Sequence, residues 1–121
     1  MPSPTQEIGQ RHEERAGNLL HASGMRILQR NFRCRTGEID LIAQDQEHVI
    51  FVEVRSRRHD RQGNAAASIG PRKQQRIIRA AQYFLLRYPQ YQRWPCRFDV
   101  VSFDGDAPGE WIRDAFQVPS R

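Results

Sequence analysis

The stretch GEIDLIAQDQEHVIFVEVR, residues 37–55, decides the fold of this chain. It predicts two strands, residues 38–44 and 48–55, joined by a polar turn at residues 45–47. The second strand is apolar on both faces, which is typical of a strand in the middle of a sheet that is covered above and below. Its one acid, Glu53, is therefore expected to be buried, where an ionised carboxylate is stable only beside a positive group.

A second acid, Asp40, comes from the neighbouring strand and lies within reach of Glu53. Side chains alternate across a strand, so we expect Asp40 to share a face with Glu38 and Ile42. Two carboxylates that converge in a central hairpin suit a divalent cation. The simpler alternative is a salt bridge to Arg55 or Arg57 that only fixes the hairpin.

The composition indicates one small globular domain, residues 1–121, because 38% of the 121 residues are apolar. No apolar run approaches the length of about 18 residues that suggests a membrane span. The first residues, MPSPTQEIGQ, lack the basic and apolar regions of a signal peptide. The two cysteines form no CxxC pair, so we expect reduced thiols in a cytoplasmic protein. Residues 1–4 and 117–121 are expected to be frayed.

The charge of the chain favours nucleic acid as a partner. The net charge is +5, and Lys73 is the only lysine among 19 basic residues. Arginine binds phosphate through a fork of donors and stacks on bases, although GC-rich coding also enriches arginine in a merely solvated surface. Arg57, Arg58 and Arg61 follow the central strand directly, which predicts a mobile loop that contacts phosphate.

The segment before the hairpin predicts a helix over residues 6–22, capped by Ser3 or Thr5, and a strand over residues 25–32. The helix has an apolar stripe that should face the sheet, formed by Ile8, His12, Ala16, Leu19 and Leu20. Glu13 lies beside this stripe and can lean towards the carboxylates, whereas Glu14 lies on the far side. A surface pair with Arg11 or Arg15 is the alternative for Glu13.

The segment after the loop predicts a helix over residues 71–88, a strand over 97–103 and a short edge strand over 110–113. A helical crossover between two strands makes them parallel, so the prediction is an α/β fold in α-β-β-β-α-β order. Its mixed central sheet has four to five strands and is flanked by helices. Lys73 is expected to point back at the sheet, and Arg72 and Arg76 to point outward.

Four motifs in this order carry a resemblance to a known family: GEIDLIA, FVEVRSRR, PRKQQR after a loop of small residues, and CRFDVV. They resemble the bacterial YraN family of the PD-(D/E)XK nuclease superfamily, from about residue 9 to residue 116. The resemblance implies a restriction-endonuclease-like core and a domain similar to archaeal Holliday junction resolvases. It also implies an endonuclease that depends on Mg²⁺ or Mn²⁺ and acts on DNA, branched or Holliday-junction DNA included.

Residue by residue, the resemblance assigns Asp40, Glu53 and Glu13 as metal ligands. Arg55 departs from the pattern, because the superfamily usually has lysine there. Arginine stays protonated and is a poor base, but it stabilises charge on a phosphate. Lys73, from the next helix, either supplies the missing amine or contacts phosphate.

Three functions remain open from the sequence. The first is the metal-dependent endonuclease, with nucleic-acid contacts from Arg57, Arg58, Arg61, Arg72 and Arg76. The second is a nucleic-acid-binding domain with a nuclease-like fold that has lost hydrolysis, for which Arg55 is the main support. The third is a scaffold for a protein partner. Resolvase-like relatives act as dimers, so a homodimer is also open.

Overall fold

The computed structural model describes residues 3–56 and 69–119. The helices are α1 (Pro4–Ala22) and α2 (Pro71–Arg87), followed by a short 3₁₀ turn (Pro89–Tyr91). The strands are β1 (Arg26–Cys34), β2 (Gly37–Gln44), β3 (Val49–Ser56), β4 (Cys96–Phe103) and β5 (Glu110–Phe116). This order confirms the predicted α/β core. No helix of the described ranges is both long and apolar enough to cross a membrane.

The five strands form one mixed sheet in the order β1-β2-β3-β4-β5. The pair β3–β4 is parallel, because α2 carries the chain from the end of one strand back to the start of the next. The other three pairs are antiparallel. The strand β3 is therefore the middle of the sheet, as its sequence predicts.

Each face of the sheet has its own apolar cluster. On the α1 face, Ala16 and Leu20 pack with β-strand residues that include Ile50 and Val52. On the α2 face, Ile77 and Phe84 pack with Val49 and Phe51, among others. Successive residues of β3 thus enter alternate clusters, which explains why this segment is apolar without interruption.

The start of α1 is capped by side chains, and residues 1 and 2, which were expected to be frayed, lie outside the described residues. Ser3 accepts a hydrogen bond from the backbone N–H of Gln6, and the Gln6 side chain accepts one from the backbone N–H of Ser3, so the helix begins with a capping box. The prediction that Ile8 faces the sheet is wrong, because this side chain is 48% exposed. Burial along α1 begins only at His12, so the first two turns do not contribute to the core.

The two edge strands, β1 and β5, are longer than predicted. Each contains one residue whose backbone departs from the extended conformation, which the alternation of side chains does not reveal. Asn31 in β1 and Asp114 in β5 have left-handed backbones, with φ of 52° and 53°. Asp99, fully buried in β4, accepts hydrogen bonds from the Arg97 side chain, the Trp111 indole and the backbone N–H of Asp114. These bonds attach β5 to the sheet, so the role of Asp99 is structural.

The turn between β1 and β2 touches α2 at a point that only glycine fits. A Cβ atom on Gly37 would lie 2.7 Å from the backbone carbonyl oxygen of Arg76. We expect Gly37→Ala to lower the free energy of unfolding by about 1–3 kcal/mol, since neither backbone yields without displacing α2. Urea unfolding measures this change.

Gly9→Ala is the matched control, because a Cβ there meets no atom within 4 Å. Gly9 lies inside α1, so this substitution should leave stability unchanged or raise it by up to about 1 kcal/mol. Equal destabilisation by both substitutions would contradict the close contact between Gly37 and Arg76.

Candidate functional site

The centre of the sheet opens between β2 and β3. Their ladder runs from Gln44 paired with Val49 to Leu41 paired with Val52. Beyond it, an Oδ2 atom of Asp40 accepts a hydrogen bond from the backbone N–H of Val54 at 2.8 Å. A carboxylate thus takes the place of a backbone partner at the point where the two strands part.

The alternation of side chains in β2 is interrupted next to Asp40. Ile39 and Ile42 are three residues apart, yet both enter the cluster on the α2 face. Across the ladder, Arg30 pairs with Leu41 and Phe32 with Ile39, which puts Asn31 and its left-handed backbone beside Asp40. An irregularity shared by both strands therefore lies at the acid that the sequence singles out.

The structure brings Asp40 and Glu53 together. Burial, the nearby negative charge of Glu53 and a hydrogen bond between the two carboxyl groups raise the pKa of Asp40 to about 8, against the smaller opposing effect of the Val54 N–H. Two carboxyl groups held this close resist carrying two negative charges, and a cation between them would remove that cost.

Lys73 is the positive group that Glu53 requires. Glu53 is only 5% exposed, and its Oε2 atom lies 2.8 Å from Nζ of Lys73. The first turn of α2 thus points this side chain back at the sheet, where the sequence places it. Arg55 and Arg57 are the partners that the sequence suggests, and Lys73 is an additional one. Arg57 lies outside the described residues.

Glu13 approaches the same region from α1. It is half-buried and hydrogen-bonds to the side chain of Asn31. Burial raises the pKa of Glu13, and the charges of Glu38 and Glu53 act in the same direction. The alternative partner Arg15 instead donates to the carbonyl oxygens of two loop residues, so it is engaged elsewhere. Glu14 is exposed, as expected.

The described part of the chain contains no group of three or more histidine, cysteine, aspartate or glutamate side chains arranged to hold a metal ion. The candidate ligands are therefore the paired carboxyl groups of Asp40 and Glu53. Glu13 is hydrogen-bonded to Asn31, which lies beside Asp40. Carboxylate oxygens are the hard ligands that Mg²⁺ prefers, and this ion commonly keeps several waters while bound through one or two carboxylates. The donor chemistry fits Mg²⁺ or Mn²⁺.

A basic groove with a volume of about 380 Å³ lies next to the carboxylates. It is lined by Arg33, Cys34, Arg35, Thr36, Gly37, Glu38, Lys73, Arg76 and Ile77. Arg76 is thus placed in the groove, and Arg72 is exposed on the first turn of α2, outside its lining. Arg57, Arg58 and Arg61, together with the predicted mobile loop, lie outside the described residues.

Sequence reasoning did not assign Asn31, Arg33 or Arg35 to the site. The signal was the segment RNFRCR at the end of β1, where arginines recur at every second or third position. Asparagine is depleted in strands and tolerates a left-handed backbone, so Asn31 marks an irregularity that period-2 alternation overlooks.

The fold and the site together define the class of this protein. It is an α/β protein with a pair of carboxyl groups at the point where two central strands separate. The chain matches the model of the uncharacterised protein family UPF0102, the YraN family, over residues 12–103. It belongs to this family, which confirms the resemblance found in its sequence motifs.

Relatives from three bacteria match almost the whole chain, and each is named as a UPF0102 protein. The relative from Alkalilimnicola ehrlichii is 53% identical over 98% of this chain and 93% of its own length. The relative from Nitrosococcus oceani is 47% identical over 98% of both chains. The relative from Alcanivorax borkumensis is 47% identical over 89% of this chain and 90% of its own.

Proposed function

We propose that this protein is a cytoplasmic, metal-dependent endonuclease that hydrolyses phosphodiester bonds in DNA, branched or Holliday-junction DNA included. The observation that carries the proposal is the contact between the carboxyl groups of Asp40 and Glu53, with Lys73 beside them. The basic groove next to this pair supports a substrate with a phosphate backbone.

Asp40 and Glu53 would hold Mg²⁺ or Mn²⁺ at the point where β2 and β3 separate. Glu13, which is hydrogen-bonded to Asn31, would be the third ligand. The bound ion would supply an acidified water and a polarised phosphate. The contact between the Asp40 carboxylate and the Val54 N–H fixes one ligand against the backbone of the strand that carries the other.

Lys73 and Arg55 are the cations proposed to stabilise the transition state. Lys73 lies at the boundary between the carboxylates and the groove, since it pairs with Glu53 and also lines the groove. A phosphate in the groove would draw its ammonium group, and a metal ion would replace it beside Glu53. Arginine is a poor general base, so the proposed role of Arg55 is charge stabilisation and not proton abstraction.

Calorimetric titration with Mn²⁺ tests the metal site, with Asp40→Asn as the matched variant. We expect the wild-type protein to bind Mn²⁺ and the variant to bind it at least about tenfold more weakly, in the range found when the ligand environment of a metal is altered. Incubation of the wild type with branched and linear DNA, with and without metal, then tests cleavage. Identical Mn²⁺ binding by both proteins would contradict the carboxylate site.

The second candidate function is a nucleic-acid-binding domain without hydrolysis. It is favoured by arginine in place of lysine at position 55 and by the ion pair that engages Lys73 with Glu53. The cleavage assay separates the two functions. Salt-sensitive binding of DNA with no product in either metal would favour the second.

A further inference from the structure

The basic groove between the β1–β2 turn and α2 has an excess of positive charge. Four of its side chains are cationic, namely Arg33, Arg35, Lys73 and Arg76, and one, Glu38, is acidic. Glu38 lies 3.2 Å from Arg33, and both side chains are more than half exposed, so solvent screens this pair. The remaining cations make the groove a site for an anion.

The two walls of the groove are in direct contact at its base. One wall is the turn through Thr36 and Gly37, and the other is the α2 segment with Lys73, Arg76 and Ile77. The close approach of Gly37 to the Arg76 carbonyl oxygen leaves no room for a side chain between them. The groove is therefore bounded on two sides, unlike the open surface that a basic patch usually presents.

The groove also joins the carboxylate pair. Lys73 lines the groove and at the same time lies 2.8 Å from Glu53. A ligand that fills the groove therefore has one end beside the acids. Its volume, about 380 Å³, lies in the range of sites for small molecules, about 300–1,000 Å³, which matches the size of one nucleotide.

We propose that this groove binds the phosphate of one unpaired nucleotide, next to the phosphodiester that is cleaved at Asp40 and Glu53. The proposal rests on the proposed function and names its substrate as a DNA strand with an unpaired segment. Arg35 and Arg76 hold the phosphate from opposite walls, because a guanidinium group presents paired donors to phosphate oxygens. Lys73 then lies between the bound phosphate and the cleaved one.

The test measures binding of a short fluorescent oligothymidylate by anisotropy over a series of salt concentrations, in EDTA so that no metal-dependent cleavage takes place. We expect the double variant R35Q/R76Q to bind at least about tenfold more weakly than the wild type. The slope of log affinity against log salt should fall by about 0.7, because the two arginines hold one phosphate and each phosphate contact to a single strand contributes about 0.7.

The matched control is R87Q/R93Q, which removes the same charge outside the lining of the groove. Arg87 is the last residue of α2, Arg93 lies in the segment before β4, and both are exposed. It should change affinity much less. Equal weakening of binding by both double variants would overturn the proposal that this groove binds an unpaired nucleotide. Equal affinity of the wild type for oligothymidylate and for its duplex with oligoadenylate would overturn it as well.

The two proposals fail separately. Loss of binding in R35Q/R76Q, with no cleavage by the wild type in any metal, leaves the groove in place and overturns the nuclease. Metal-dependent cleavage by the wild type, with R35Q/R76Q binding like the control, overturns the groove alone. Circular dichroism melting curves show whether each variant is folded.

Discussion

Glu53→Gln is expected to lower the rate of metal-dependent DNA cleavage at least about a thousandfold, which corresponds to about 4 kcal/mol in the activation barrier. Glu53 is one of only two carboxyl groups that the described structure places at the parting of β2 and β3, and it is almost fully buried. Glutamine keeps the shape of the side chain but supplies a neutral amide in place of a carboxylate. Initial rates on branched DNA in saturating Mg²⁺ or Mn²⁺ measure the effect.

Lys73→Met distinguishes loss of the metal ligand from loss of the ion pair. Both substitutions break the contact between Lys73 and Glu53, but only Glu53→Gln removes a carboxylate. We expect the Lys73 variant to bind Mn²⁺ at least as tightly as the wild type, since no ammonium group then competes with the metal, and to cleave DNA slowly. The Glu53 variant should bind Mn²⁺ weakly. Equal loss of Mn²⁺ binding in both variants would contradict this assignment of roles.

The regular helices and strands were predictable because their buried residues follow an uninterrupted pattern along the sequence. The segment that becomes β3 is apolar on both faces, and the structure puts it in the centre of the sheet between two clusters. The stripe on α2 that includes Ile77, Ala81 and Phe84 likewise matches the buried side of the helix. Lys73 lies one turn before Ile77, so helical periodicity alone pointed it at the sheet.

The irregular parts were not predictable from periodicity. Two irregularities interrupt β1, namely a shift of register between Ile27 and Gln29 and the left-handed backbone of Asn31. The basic groove was missed for a different reason. Arg35 lies in a turn and Arg76 on a helix, and only the close packing of Gly37 on α2 places them on facing walls. Such a contact between distant segments leaves no pattern in either one.

The stability of the metal-free protein is expected to fall as pH rises from about 4 to about 8, and Asp40→Asn should remove most of this fall. Asp40 in the unfolded chain loses its proton near the ordinary value of 3.8, whereas in the folded protein its pKa is about 8. Between these values the folded state binds more protons than the unfolded state, so the free energy of unfolding decreases with pH. The stabilisation is complete below pH 3.8 and lost as pH passes 8.

Urea unfolding in EDTA at pH 5 and pH 8 measures this dependence. We expect the wild type to lose on the order of 2 kcal/mol between the two values relative to Asp40→Asn, because one pKa unit corresponds to about 1.4 kcal/mol and the site is partly screened by solvent. Asparagine keeps an oxygen for the Val54 N–H but has no proton to lose. Asp106→Asn, at an exposed loop position, is the control and should keep the wild-type slope. A wild-type profile as flat as that of Asp40→Asn would mean that the two carboxyl groups do not meet in solution, and the proposed metal site would lose its physical basis.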